Sequence, residues 1–177
     1  SIDVVQNDGQ KRAIAAYIAA GRMRAFSNPA FRQELARYKR TNLTRSQNGM
    51  PGFTMGFPTL LSLVAPLAIR LFNVTKLMRR HDDRLFTTDT AAFVIISGGE
   101  DSLWGACLLG QKLEQILLEM EARGLATSIQ VIGSDGTPLQ QILGCQMTPR
   151  ILFRLGYPTE LPAHSPRISS TACTTLL

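Results

Sequence analysis

Histidine is nearly missing from this 177-residue chain: His81 and His164 are the two copies, and both lie in polar surroundings. Each reads as a surface residue, because no partnered nucleophile or carboxylate pattern makes either one a catalytic base. Cysteine is sparse as well. Cys107, Cys145 and Cys173 stand far apart, with no CxxC and no pairing with either histidine. This spacing excludes a zinc-ligand set and a disulfide framework, and it points to free thiols in a reducing, cytoplasmic setting. Cys107 falls inside a helical pattern and reads as a small core residue. Gly-x-Gly-x-x-Gly, P-loop, His-Glu-x-x-His and Gly-x-Ser-x-Gly patterns are all absent. Gly133-Ser134-Asp135-Gly136 is therefore a turn and not a nucleophile elbow. The N-terminus carries no signal-peptide pattern. The opening at Ser1, straight into Ile2-Asp3-Val4-Val5, reads as an internal cut or a processed end. No apolar run reaches the roughly 20 residues of a membrane span. From spacing alone, the chain names no catalytic machine.

The composition present is that of a globular domain, 45% hydrophobic and 18% charged. The chain carries 19 Lys and Arg against 13 Asp and Glu, a formal net charge of +6. Seven of those cations lie between Arg22 and Arg45, with only Glu34 to offset them. Such a segment can serve nucleic acid, an anionic surface or an acidic partner. Without stacking aromatics or a nucleic-acid motif it reads instead as the solvated face of two helices, with a nucleic-acid module as the weakest alternative.

The pattern predicts a short strand over Ile2 to Val5 and a helix capped by Asn7 or Asp8, with Ile14, Tyr17, Ile18 and Gly21 on one face. Asn28-Pro29 starts a second helix, whose narrow stripe is Phe31, Leu35 and Tyr38. Thr41 to Pro58 reads as a long loop, a lid or dimer-wrapping arm. Thr59 to Phe72 is an amphipathic helix holding Pro66. Its face of Leu60, Val64, Leu67, Ala68 and Leu71 is expected to cover the core or a partner subunit. Lys76 to Arg84 is a charged connection. Ala91 to Ile96 is a strand buried on both faces. Asp101 or Ser102 caps a long helix with two apolar sides. Ala106, Leu109, Leu113, Ile116, Leu117 and Met120 form one side, and Trp104, Cys107 and Leu118 the other, as expected of a helix sandwiched either deep in a domain or at a subunit interface. Gly124 ends it. Thr137 to Gly144 is a short helix, Ile151 to Leu155 a strand, and the rest an extended tail.

In the order of its pieces the stretch from Thr88 to Arg167 resembles the FMN-dependent nitroreductase family. The pieces are Thr88-Asp89-Thr90-Ala91-Ala92-Phe93, Ser97-Gly98, Trp104-Gly105-Ala106, Gly124-Leu125, Leu143-Gly144, Pro149, Phe153-Arg154-Leu155-Gly156-Tyr157 and Ser165-Pro166-Arg167. A weaker match covers Asn28 to Gly52. The resemblance implies an α/β (α+β) fold, a mixed β-sheet flanked by helices. It also implies an intertwined homodimer and hydride transfer from NADH or NADPH through FMN to a small acceptor. By position, Gly124, Leu125, Ala126, Ser128 and Gln130 would lie beside the flavin, and Arg167 would contact its phosphate. The family's Arg-rich phosphate motif and Pro-Ser-x-x-Asn-like segment do not appear upstream of Thr88. This implies that the N-terminal half is missing, supplied by another segment or chain. The division expected is a helical part over 1–87, a nitroreductase-like core over 88–167 and a tail over 168–177. The alternative is a non-catalytic or flavin-sequestering module of the same fold. No metal, membrane or nucleic-acid role is implied.

Overall fold

The computed structural model describes residues 1–46, 48–73, 83–132 and 136–160. Two compact units emerge, one from Ser1–Met23 with Leu77–Thr159 and the other from Arg24–Lys76 with Glu160–Leu177.

The first unit is built on a four-stranded sheet of β1 (Ile2–Val5), β4 (Ala92–Ser97), β5 (Ala126–Gln130) and β6 (Pro149–Gly156), in the order β1-β4-β6-β5. Every neighbouring pair is antiparallel. β4 is central, and all six of its residues are buried, which explains its unbroken apolar sequence. Alternation then divides the sheet into two faces. On one, Val5, Phe93, Ile95 and Leu152 pack with Ile14, Tyr17 and Ile18 of helix α1 (Asp8–Ser27) and with Phe86 and Leu139. On the other, Val94, Ile96 and Phe153 pack under Leu109, Leu113 and Ile116 of helix α4 (Leu103–Ala122). Asn7 caps α1 by accepting from the N–H groups of Gly9 (2.9 Å) and Gln10 (3.2 Å). Ser102 caps α4 by accepting from Gly105 N–H at 3.0 Å. A short helix, α5 (Thr137–Leu143), sets Leu139 into the core, and residues 83–87 form a helical turn carrying Phe86.

The second unit holds α2 (Pro29–Tyr38) and α3 (Thr59–Leu71), joined through a minimal parallel pair, β2 (Lys39–Arg40) with β3 (Met50–Pro51), and a 3-10 turn at Gly52–Met55. Parallel and antiparallel pairings thus both occur, in separate sheets. Asn28 caps α2 and Pro29 opens it. The long excursion after residue 41 is tied to α3. Asn42 N–H donates to Ser62 Oγ (2.9 Å), Asn42 Nδ2 donates to the Phe57 carbonyl (2.8 Å), and Ser62 Oγ donates to the Thr59 carbonyl (2.7 Å). Gly52 allows that approach, since a Cβ there would stand 2.6 Å from both Asn42 Oδ1 and Ser62 Cβ.

Three features expected in or over the core lie at the surface of the single chain, which leaves the two helices their other expected place, against a partner subunit. α3 buries Ser62, Ala65 and Ile69, whereas Leu60, Val64, Leu67 and Leu71, expected to cover something, are exposed. In α4 the second apolar side is open: Trp104 is 69% exposed, and Leu103, Leu108 and Leu118 are exposed with it. Cys107, expected in the core, lies on that open side. The physical reason is common to all three. A helix laid on one sheet or one neighbouring helix buries one stripe, and a second stripe stays bare until another surface meets it.

Candidate functional site

The site is built where α4 stops. Leu125 N–H donates to the Met120 carbonyl (2.9 Å) and Gly124 N–H to the Glu121 carbonyl (2.9 Å), with Gly124 at φ +71°. This double closure satisfies the last carbonyls and turns the chain sharply into β5. Arg123 braces the turn by donating from Nε to Glu119 Oε1 at 2.7 Å. A Cβ on Gly124 would meet nothing within 4 Å, so the elbow faces open space.

β5 is the edge of the sheet, so one side of its backbone has no strand partner among the described residues. Leu125 and Ser128 are half-buried, Ala126 is exposed and Gln130 is buried. Gln130 Nε2 donates to the carbonyl and the hydroxyl of Ser128, both at 3.1 Å, and its Oε1 accepts from Arg22 Nη2 at 3.4 Å. The carboxamide is therefore held in one orientation. Ile129 and Val131 are exposed apolar side chains along the same stretch, 55% and 89% exposed.

Sequence reasoning missed two residues beside this strand, Arg22 and Arg154. Arg154 of β6 pairs in register with Ser128 on one side and Phe93 on the other. Arg22 lies with its guanidinium 4.9 Å from the centroid of the Phe86 ring. Burial, and then the nearby Arg22 charge, hold the Arg154 guanidinium below its ordinary value, while Asp89 pulls it back in part. Arg154 Nε is buried with no hydrogen-bond partner among the described residues. The signal available in sequence was one charge inside the apolar run Ile151-Leu152-Phe153-Arg154-Leu155.

Of the residues carried over by position, Gly124, Leu125, Ala126, Ser128 and Gln130 form one continuous elbow and edge strand. Arg167 lies outside the described residues, as do His81, His164, Cys173 and the turn at residues 133–135. Among the described residues no cluster of His, Cys, Asp and Glu could hold a metal ion, and no helix is long and apolar enough to cross a membrane. A cavity of about 390 Å³ lined by Ser97, Gly98, Trp104 and Leu108 sits at the other end of α4. Its lining reaches along α4 as far as Lys112, about 18 Å of helix short of Gly124.

An antiparallel sheet between helices, with a glycine-terminated helix delivering an edge strand, is a nitroreductase-like α+β fold. The solved structure of the FMN-dependent nitroreductase NfnB from Mycobacterium smegmatis, in complex with NADPH, is similar. Its TM-score is 0.60 at 14% identity, over 100% of this chain and 78% of that one. Comparison by sequence finds no matching family and no matching curated protein.

Proposed function

We propose that this chain is the C-terminal part of an FMN-dependent, nitroreductase-like oxidoreductase. The observation that carries the reading is the fold it shares with an FMN-dependent nitroreductase. The residues present fit the flavin in kind. A flat heteroaromatic ring with donors and acceptors along its rim needs unpaired backbone groups at an accessible edge, and the free side of β5 offers them. Gly124 leaves room for close approach. Ile129 and Val131 give apolar surface against which a ring excludes water.

In this reading Gly124, Leu125, Ala126, Ser128 and Gln130 bind the flavin, and Arg167 reaches its phosphate. The chemistry such a group supplies when bound is hydride transfer from NADH or NADPH to a small acceptor, a nitro compound or quinone. The chain's own part is to orient. The Gln130 carboxamide, fixed by Ser128 and Arg22, locks the strand that forms the wall. The open side of α4 supports a homodimer, with Leu103, Trp104, Leu108 and Leu118 as the surface a second copy would cover.

The test is titration of the purified chain with FMN, followed by addition of NADH or NADPH without oxygen. Quenching of flavin fluorescence on binding, then bleaching of its visible absorbance by either nucleotide, is the expected result. Flavin that stays free throughout overturns the proposal. Flavin that binds and resists reduction assigns the chain to a sequestering module instead.

A further inference from the structure

We propose that α3 docks on an anionic lipid surface, with its bare apolar side set into the bilayer interface and the cations beside it meeting the headgroups. The helix is held from behind. Ser62, Ala65 and Ile69 are buried, and Ser62 is tied to Asn42, so one stripe is fixed within its own unit. The opposite side bears Leu60, Leu63, Val64, Leu67 and Leu71, between 47% and 81% exposed. Single exposed leucines are ordinary, but five in one stripe mark an interaction surface. The stripe runs the length of the 13-residue helix, about 20 Å, and Arg70 is the one charge in α3. Among the described residues no helix is long and apolar enough to cross a membrane, so docking along the interface is the geometry open to it.

Charge selects the occupant. The unit that holds α3, residues 24–76 with 160–177, has nine Lys and Arg against Glu34 and Glu160, so its side chains carry +7. A second copy would bring the same charge to the same place, which argues against a partner subunit on this helix. Nucleic acid offers opposite charge but no apolar phase for the leucines. An anionic bilayer offers both. The cations are also placed for it. A cavity of about 380 Å³ opens between α2 and α3, lined by Gln33 and Arg37 of one and by Pro66, Leu67 and Arg70 of the other. Two guanidinium groups thus stand at the margin of the apolar stripe, where long stems lie along apolar surface and the heads stay at the polar boundary. Arg37 meets Glu34 only at 4.0 Å, with both side chains mostly in solvent. Shape agrees as well. Leu60, Leu67 and Leu71 stand on the outer, convex side of the helix. A protein partner would need a matching groove, whereas a fluid interface accepts a convex side as it is. This inference is independent of the flavin reading, which concerns the other unit.

The experiment is flotation of the full chain with vesicles of phosphatidylcholine alone and of phosphatidylcholine with about one-third phosphatidylserine. The native chain is expected to float with the anionic vesicles, about ten-fold or more above the neutral ones, and to be released in part as salt is raised. Leu67→Asp, with circular dichroism confirming that it is folded, should lower the partition about ten-fold or more. Should it not fold, Leu71→Asp takes its place with the same expected loss. Arg37→Gln and Arg70→Gln should each lower binding to the anionic vesicles about five-fold and leave the neutral ones unchanged. Native protein that stays behind with anionic vesicles, that partitions equally into both, or whose folded Leu67→Asp variant floats as well, overturns the proposal. Two further results overturn it by naming another occupant. A lower mass of Leu67→Asp in sedimentation without lipid assigns the stripe to a second copy. Binding to polyglutamate without binding to vesicles assigns it to an acidic polypeptide.

Discussion

Phe93, Leu152 and Phe153 are each fully buried at the centre of the sheet, and they show how single residues divide the molecule. Phe153→Ala is expected to cost about 3–5 kcal/mol, read as a lower urea midpoint, because it leaves a ring-sized void between the sheet and α4. Trp104→Ala is expected to change the stability of the isolated chain by less than about 1 kcal/mol, since its ring is mostly in solvent. Cys107, exposed on the same side of α4 in the single chain, should react readily with a thiol reagent at dilution and more slowly at concentrations where a second copy covers that side. Complete protection at dilution would show that the side is covered within the single chain. At this scale the sequence was legible wherever one pattern had one meaning. Ile14, Tyr17 and Ile18 were expected on one face and are buried there. Trp104 and Cys107 were not legible, because periodicity assigns a residue to a side of a helix and does not say which side receives the sheet. Arg154 was hidden by its context: a strand's alternation places it on a face, but only the folded chain shows Arg22 arriving at the same place.

Element boundaries were set by caps and glycines, and these were the most readable features of the chain. Asn7, Asn28 and Ser102 cap as their residue types dictate, and Gly124 and Gly144 end helices at φ +71° and +65°. Gly124→Ala is expected to cost about 1 kcal/mol, purely from the left-handed backbone, since nothing crowds the added methyl. Gly105→Ala should cost more. Its Cβ would clash with the Glu100 carbonyl oxygen, so the first turn of α4 must shift. If thermal melts rank these two variants in the opposite order, the close approach at Gly105 is wrong. β5 was legible only as the wall implied by the family resemblance and not as a strand. Ala126-Thr127-Ser128-Ile129-Gln130 is short and half polar, as an edge strand can be when one side faces solvent. The tiny β2–β3 pair has no sequence signal, because two residues fix no periodicity.

For the molecule as a whole, charge and apolar surface are distributed unevenly. Residues 24–73 hold seven cations and one acid, so this segment carries +6, the entire net charge of the chain. Like charge on two copies opposes their association, so the homodimer proposed above depends on apolar burial at the open side of α4. Leu118→Asp should therefore lower the mass seen in sedimentation at a given concentration, while a change in α3 such as Leu67→Asp should leave it unaltered. The α+β class and its helix-flanked sheet were readable because element order survives at 14% identity to NfnB. The proposal of a flavin along the glycine elbow and β5 is tested most directly by passing the chain, mixed with FMN, through a desalting column and recording the visible spectrum. Flavin absorbance is expected to elute with the protein near one equivalent per chain and to be lost from a variant with a bulky, β-branched residue at the elbow, Gly124→Val. Colourless native protein, with all of the flavin in the later fractions, would contradict it.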